Sequence, residues 1–129
     1  PLPEGATALV YSRGSVPATT LGMLQKGMTS VTAASKTTYT AVASDQIVVD
    51  TAANVVTITL PATPAVGDEV TIMDGSATGG FATNNCVVAR NGSNIEGAAS
   101  DDSLTVNNQC VTLIYANATK GWLYKSTNQ

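Results

Sequence analysis

Hydrophobic and polar residues along most of this chain alternate with a period of two, in short runs broken by turn-forming residues. In VVTITL (55–60), Val56, Ile58 and Leu60 fall on one face while Val55, Thr57 and Thr59 fall on the other. EVTIMD (69–74) places Val70 and Ile72 together in the same way. A two-residue period is the signature of a β-strand, whose successive side chains point to opposite faces. TTYTAVA (37–43) and QIVVD (46–50) add Thr, Val, Ile and Tyr, the residues that best suit a pleated surface. Pro61 and Pro64 stop the first alternating run, because proline cannot donate to a sheet ladder. Gly67-Asp68 turns the chain into the next run, and GSATGGFATNN (75–85) is a glycine- and asparagine-rich loop.

Three hairpins are expected beyond that loop. Asn91-Gly92 suits a type I′ turn, which needs positive φ at both central residues. It would pair Arg90 with Ser93, Ala89 with Asn94 and Val88 with Ile95. Asn107-Asn108 offers a second turn, setting Val106 against Gln109, Thr105 against Cys110 and Leu104 against Val111. A loop at Asn117–Lys120 sets Tyr115 opposite Trp122, Ile114 opposite Leu123 and Leu113 opposite Tyr124. Apolar residues face apolar residues in all three. Some eight short strands at turn-bounded spacing predict an all-β fold, an antiparallel β-sandwich or small barrel.

The first 32 residues are different. They hold Pro1, Pro3, Pro17 and four glycines, and their apolar residues follow no sustained period. One helical turn near Leu21–Lys26 is conceivable, but Gly22 and Gly27 oppose a longer helix. The stretch reads as an extended N-terminal arm (1–32) attached to a β domain (33–129). Leu9, Val10, Tyr11, Leu21, Met23 and Leu24 are its candidate partner-binding residues, because apolar groups outside a sheet must still leave water.

Composition sharpens the picture. Only 12% of the 129 residues are charged, about half the roughly 25% usual in soluble domains. A net charge of −3 argues against a nucleic-acid partner, which requires clustered Lys and Arg. No apolar run reaches the roughly 18 residues of a membrane span, and no signal-peptide pattern opens the sequence. In CVTLIY, Val111, Leu113 and Tyr115 occupy one face and Cys110 and Ile114 the other. Two-sided apolar strands fit either the layers of an ordinary sandwich or an outer face buried in a homo-oligomer. The low charge makes the second more attractive, since interface cores are depleted of charge.

Chemistry is sparse. The absence of histidine removes the commonest general base and metal ligand. Asp68-Glu69 and Asp101-Asp102 are adjacent on strand-like sequence, point to opposite faces, and flank turns, so turn chemistry outweighs catalysis. Asp74, Asp101 and Asp102 could contribute to a calcium site, although no acidic loop of EF-hand type is present. Trp122, Tyr115 and Tyr124 could form a sugar-stacking platform, but their hairpin spacing favours a core cluster. Cys86 and Cys110 read as structural free thiols rather than a disulfide or nucleophile. No cofactor, metal or catalytic residue is expected.

Taken in order, VVTITLPATPAVGDEVTIMDGS, ATNNCVVARNGSNIEGAA and CVTLIYANATKGWLY resemble β-rich modules that recur in bacteriophage virion proteins. Such modules occur in tail fibres, head fibres and capsid decoration proteins. The shared elements are the Leu-Pro strand end, the Val-Gly-Asp turn, the Asn-Asn lead-in to an Asn-Gly turn, and the closing aromatic hairpin. The likeness covers residues 33–129 and implies a non-enzymatic homotrimer in the virion, assembled in the bacterial host cytoplasm. It implies contacts with the major capsid protein or another virion protein, while the charge and the short apolar runs predict no nucleic acid or membrane partner. With no heptads and no long repetitive shaft, a decoration (cement) or head-fibre protein is favoured. The alternative is a tail-fibre tip that binds a host surface glycan.

Overall fold

A computed structural model of the chain describes residues 27–128. Nine strands and no helix occur among them. In chain order these are β1 (Met28–Thr32), β2 (Thr38–Thr40), β3 (Gln46–Asp50), β4 (Val56–Thr59), β5 (Glu69–Asp74), β6 (Cys86–Ala89), β7 (Asp102–Leu104), β8 (Cys110–Asn117) and β9 (Gly121–Asn128). They form a five-stranded sheet in the order β9-β8-β5-β3-β1 and a four-stranded sheet in the order β7-β6-β4-β2. Both sheets have two open edges, so neither closes into a barrel.

The sheets are mixed, and the expectation of antiparallel pairing is corrected on this point. Four of the seven strand pairs among the described residues are parallel. Odd strands β1, β3 and β5 lie side by side in one sheet, and even strands β2, β4 and β6 in the other. The chain therefore winds between the sheets, returning to each in the same direction. Parallel neighbours need a long crossover, usually a helix. Here each crossover contains a short strand of the opposite sheet. After β6 the direction reverses: β7 runs antiparallel to β6, β8 to β5, and β9 to β8.

One core serves both sheets. Val31, Ile47, Val49, Val70, Ile72, Val111, Leu113 and Trp122 from the larger sheet meet Val56, Ile58, Cys86, Val88 and Leu104 from the smaller one. Phe81, from the glycine-rich loop, is fully buried in the same cluster. Its burial contributes about 1.5–3 kcal/mol and fastens that loop to the body.

Local signals held where partners did not. Asn91 and Gly92 adopt φ of 51° and 96°, the turn their sequence demands. Yet the strand after that turn does not return along β6. Residues 94–97 are drawn to β9 instead: Asn94 O accepts the Trp122 N–H at 2.8 Å, and the Glu96 N–H donates to Trp122 O at 2.8 Å. Ile95 is left with isolated bridges to Ala98 and Trp122, and β7 becomes the partner of β6. The backbones meet so closely there that a Cβ on Gly121, whose φ is +72°, would overlap the Asn94 carbonyl. At Asn107-Asn108 the turn forms, with Gln109 N–H donating to Val106 O, but it joins β7 and β8 in different sheets. The third hairpin pairs Trp122 with Tyr115, Leu123 with Ile114 and Tyr124 with Leu113, as expected.

The body also starts earlier than the expected boundary at residue 33. Met28–Thr32 pair in parallel with Gln46–Asp50 as an edge of the larger sheet. Residues 1–26, including Leu9, Val10, Tyr11, Leu21, Met23 and Leu24, lie outside the described residues.

Candidate interaction surface

The outer face of the five-stranded sheet is built by strand alternation. With Ile47, Val49, Val70, Ile72, Val111 and Leu113 turned inward, their neighbours turn out. Register then places Val48 beside Met73 and Met73 beside Cys110. Ile114 lies beside both Glu69 and Leu123. Between these apolar rows the Thr71 and Thr112 hydroxyls bond to each other at 2.9 Å. Charge is confined to the margins: Asp50 at a strand end, and the exposed Glu69–Lys125 pair at 2.9 Å. An exposed pair of this kind is worth only about 0–1 kcal/mol. Covering this face would cost little desolvation, because its central polar atoms already satisfy one another.

The outer face of the smaller sheet is also uncharged. Thr38 and Thr57 lie side by side, as do Thr40 and Thr59, continued by Val87, Ala89 and Ser103. It differs in being short and hydroxylated, with little apolar surface to bury.

The carboxylates are occupied by local structure. Asp68 Oδ2 accepts the Ala65 N–H at 2.8 Å, and Asp101 Oδ1 accepts the Arg90 N–H at 2.9 Å. Asp102 accepts the Ser103 N–H and the Tyr124 hydroxyl. Burial, then the Asp102 carboxylate accepting that bond, pushes the Tyr124 phenol far above its ordinary range. A cleft of about 390 Å³ near Ser44–Gln46 and Gly67–Glu69 is acidic. Its buried Asp45 is held by the Tyr39 hydroxyl and the Val42 N–H, each at 2.9 Å. Asp74 accepts three backbone N–H groups, so its oxygens serve the loops rather than an ion. Among the described residues, no group of three His, Cys, Asp or Glu side chains is placed to hold a metal.

Trp122 is fully buried, edge-on to Tyr115 with ring centroids 5.6 Å apart. The core reading of this cluster therefore holds, and no indole is presented to a sugar. Both cysteines are free thiols. Cys86 is buried, and burial followed by the nearby Asp74 charge pushes its thiol up to about 12. Cys110 sits half-buried on the outer face described above. Iodoacetamide at pH 8 is thus expected to label Cys110 on the native protein and Cys86 only after urea is added. Mass spectrometry of labelled peptides would read this; native labelling of Cys86 would contradict its burial.

Sequence reasoning identified the two-sided strands but did not locate the uncharged face, because it required the register. No protein-family model matches the chain, and no curated protein sequence matches it.

Proposed function

We propose that the chain is a non-enzymatic structural protein of a bacteriophage particle, a homotrimeric capsid decoration or head-fibre protein. Its two sheets form the sandwich-like body, and its N-terminal arm carries attachment to the capsid or another virion protein. The observation that supports assembly is the outer face bearing Val48, Met73, Cys110, Ile114 and Leu123, uncharged except at its margins. The virion setting is supported by the resemblance of residues 33–129 to phage fibre and decoration modules.

Size bears on how such a trimer would be held. The five strands hold 5, 5, 6, 8 and 8 residues, so at about 3.3 Å per residue and about 4.8 Å between strands the face covers roughly 500 Å². That falls well short of the ~800 Å² per partner of a stable interface, so a further contact must contribute. Light scattering of the full chain at micromolar concentration is expected to give three chains per particle. Ile114→Lys is expected to dissociate it while leaving the circular dichroism of the folded body unchanged. A wild-type protein that stays monomeric would overturn the reading.

A further inference from the structure

Asp74-Gly75 and Asn91-Gly92 share a chemical liability. In each, the side chain can close a five-membered ring on the backbone nitrogen of the glycine that follows. Glycine has no Cβ to hinder the approach of that nitrogen. Asn91 is the one asparagine in the sequence with glycine behind it; the others precede Val, Asn, Cys, Ile, Gln or Ala. The fold treats the two sites differently. At Asp74-Gly75 both reacting groups are occupied. The Gly75 N–H donates to Val49 O at 2.8 Å, and the Asp74 carboxylate accepts the N–H groups of Ser76, Phe81 and Asn108. At Asn91-Gly92 the nitrogen is open. Both residues are exposed at the tip of their turn, and the Gly92 N–H has no acceptor among the described residues. The turn is closed across it by the Ser93 N–H on Arg90 O at 3.3 Å, a long bond. One contact holds the side chain: Asn91 Nδ2 donates to Leu60 O at 2.9 Å.

We propose that Asn91-Gly92 is a site of spontaneous deamidation, and that the product unfastens this turn from the end of β4. The Gly92 nitrogen gives its proton to hydroxide and bonds to Asn91 Cγ. The Cγ–Nδ2 bond breaks, and the amide leaves as ammonia with a proton taken from water. Water then opens the cyclic imide at either carbonyl, leaving aspartate or isoaspartate at position 91. The reaction requires only water and hydroxide, so it records the age of the folded protein. The Leu60 contact must open before Cγ is attacked, so the fold slows the reaction without abolishing it. The consequence follows from the same contact. An ionised carboxylate has no donor, so the Leu60 carbonyl loses its bond and meets a negative oxygen. Leu60 is fully buried, and its N–H donates to Ala89 O at 2.9 Å. The loss therefore falls beside Thr59 and Ala89, the last pair of β4 and β6.

Full-length protein held at pH 8.5 and 37 °C, folded in one arm and urea-unfolded in the other, tests this by peptide mass spectrometry. Folded protein is expected to show amide-to-acid conversion at Asn91 before any other asparagine, and more slowly than the unfolded chain. No conversion in the folded protein by the time the unfolded chain has converted fully would overturn the proposal. Earlier conversion at another asparagine, or isoaspartate arising first at Asp74, would do the same. Ion exchange then isolates the converted protein by its added negative charge. Its thermal unfolding is compared with that of fresh protein and of Asn91→Asp. Both altered proteins are expected to melt a few degrees below the fresh one. An unchanged Tm in both would overturn the unfastening of the turn.

Discussion

Trp122→Ala is expected to destabilise the protein by about 3–5 kcal/mol, the usual cost of deleting a large buried aromatic side chain. Stabilities of 5–15 kcal/mol leave little after such a loss, so the variant should be partly unfolded at 37 °C. The site justifies the upper part of that range. Trp122 is fully buried, packs edge-on against Tyr115, and belongs to the strand that holds residues 94–97 through its own backbone. A cavity there would loosen both sheets, since the same cluster contains Val88 and Leu104. Trp122→Phe gives the control. The indole N–H is buried with no hydrogen-bond partner among the described residues, so deleting it sacrifices no bond. Phenylalanine should therefore cost only its missing volume, about 1–2 kcal/mol. Urea titration followed by circular dichroism reads both. A loss under 1 kcal/mol for alanine would mean that the indole is not packed as described.

The strands were legible because they needed only local information. QIVVD (46–50) and EVTIMD (69–74) became β3 and β5 without a shift of boundary, and the last hairpin kept its pairs. Parallel winding was not legible, because a period of two is the same whichever way a neighbour runs. The failures of pairing share one cause. At Asn91-Gly92 the turn formed, but Ile95 gained more by burial against Trp122 than by pairing with Val88. At Asn107-Asn108 the turn formed as well, but it spans the two sheets. Turn chemistry thus fixes four residues, and the core decides where the next strand goes. Of the interaction surface, sequence revealed that strands were apolar on both sides. Which residues share the outer face depended on a register set by Ile47, Ile72 and Val111 inside.

The glycine-rich loop holds the second large effect. Asp74, at the end of β5, accepts N–H groups from Ser76, Phe81 and Asn108, each at 3.0 Å. Gly80 is needed beside it, since a Cβ there would come within 2.7 Å of Asp74 Oδ2 and 2.5 Å of Asn107 Oδ1. One carboxylate thereby ties the loop carrying the buried Phe81 to the turn at Asn107-Asn108. Asp74→Ala leaves three donors without their acceptor, at about 1–3 kcal/mol each if water were excluded. The site is half-exposed, so water replaces part of each bond and a total of about 2–4 kcal/mol is expected. Asp74→Asn should recover little, because its NH₂ would face N–H donors on one side. Burial tends to raise the Asp74 carboxyl, but the Ser76 hydroxyl and the three N–H groups outweigh it and hold it below its ordinary 3.8. A group depressed by folding stabilises above its unfolded value and loses that contribution as pH falls through its folded value. The gap between wild type and Asp74→Asn should therefore be full at pH 7 and start to close only below about pH 4. It should be largely gone once Asp74 is protonated in the folded protein. Thermal denaturation of both proteins from pH 7 to pH 2 measures this, and a gap that stayed constant across the range would show that the carboxylate charge is not what holds the loop.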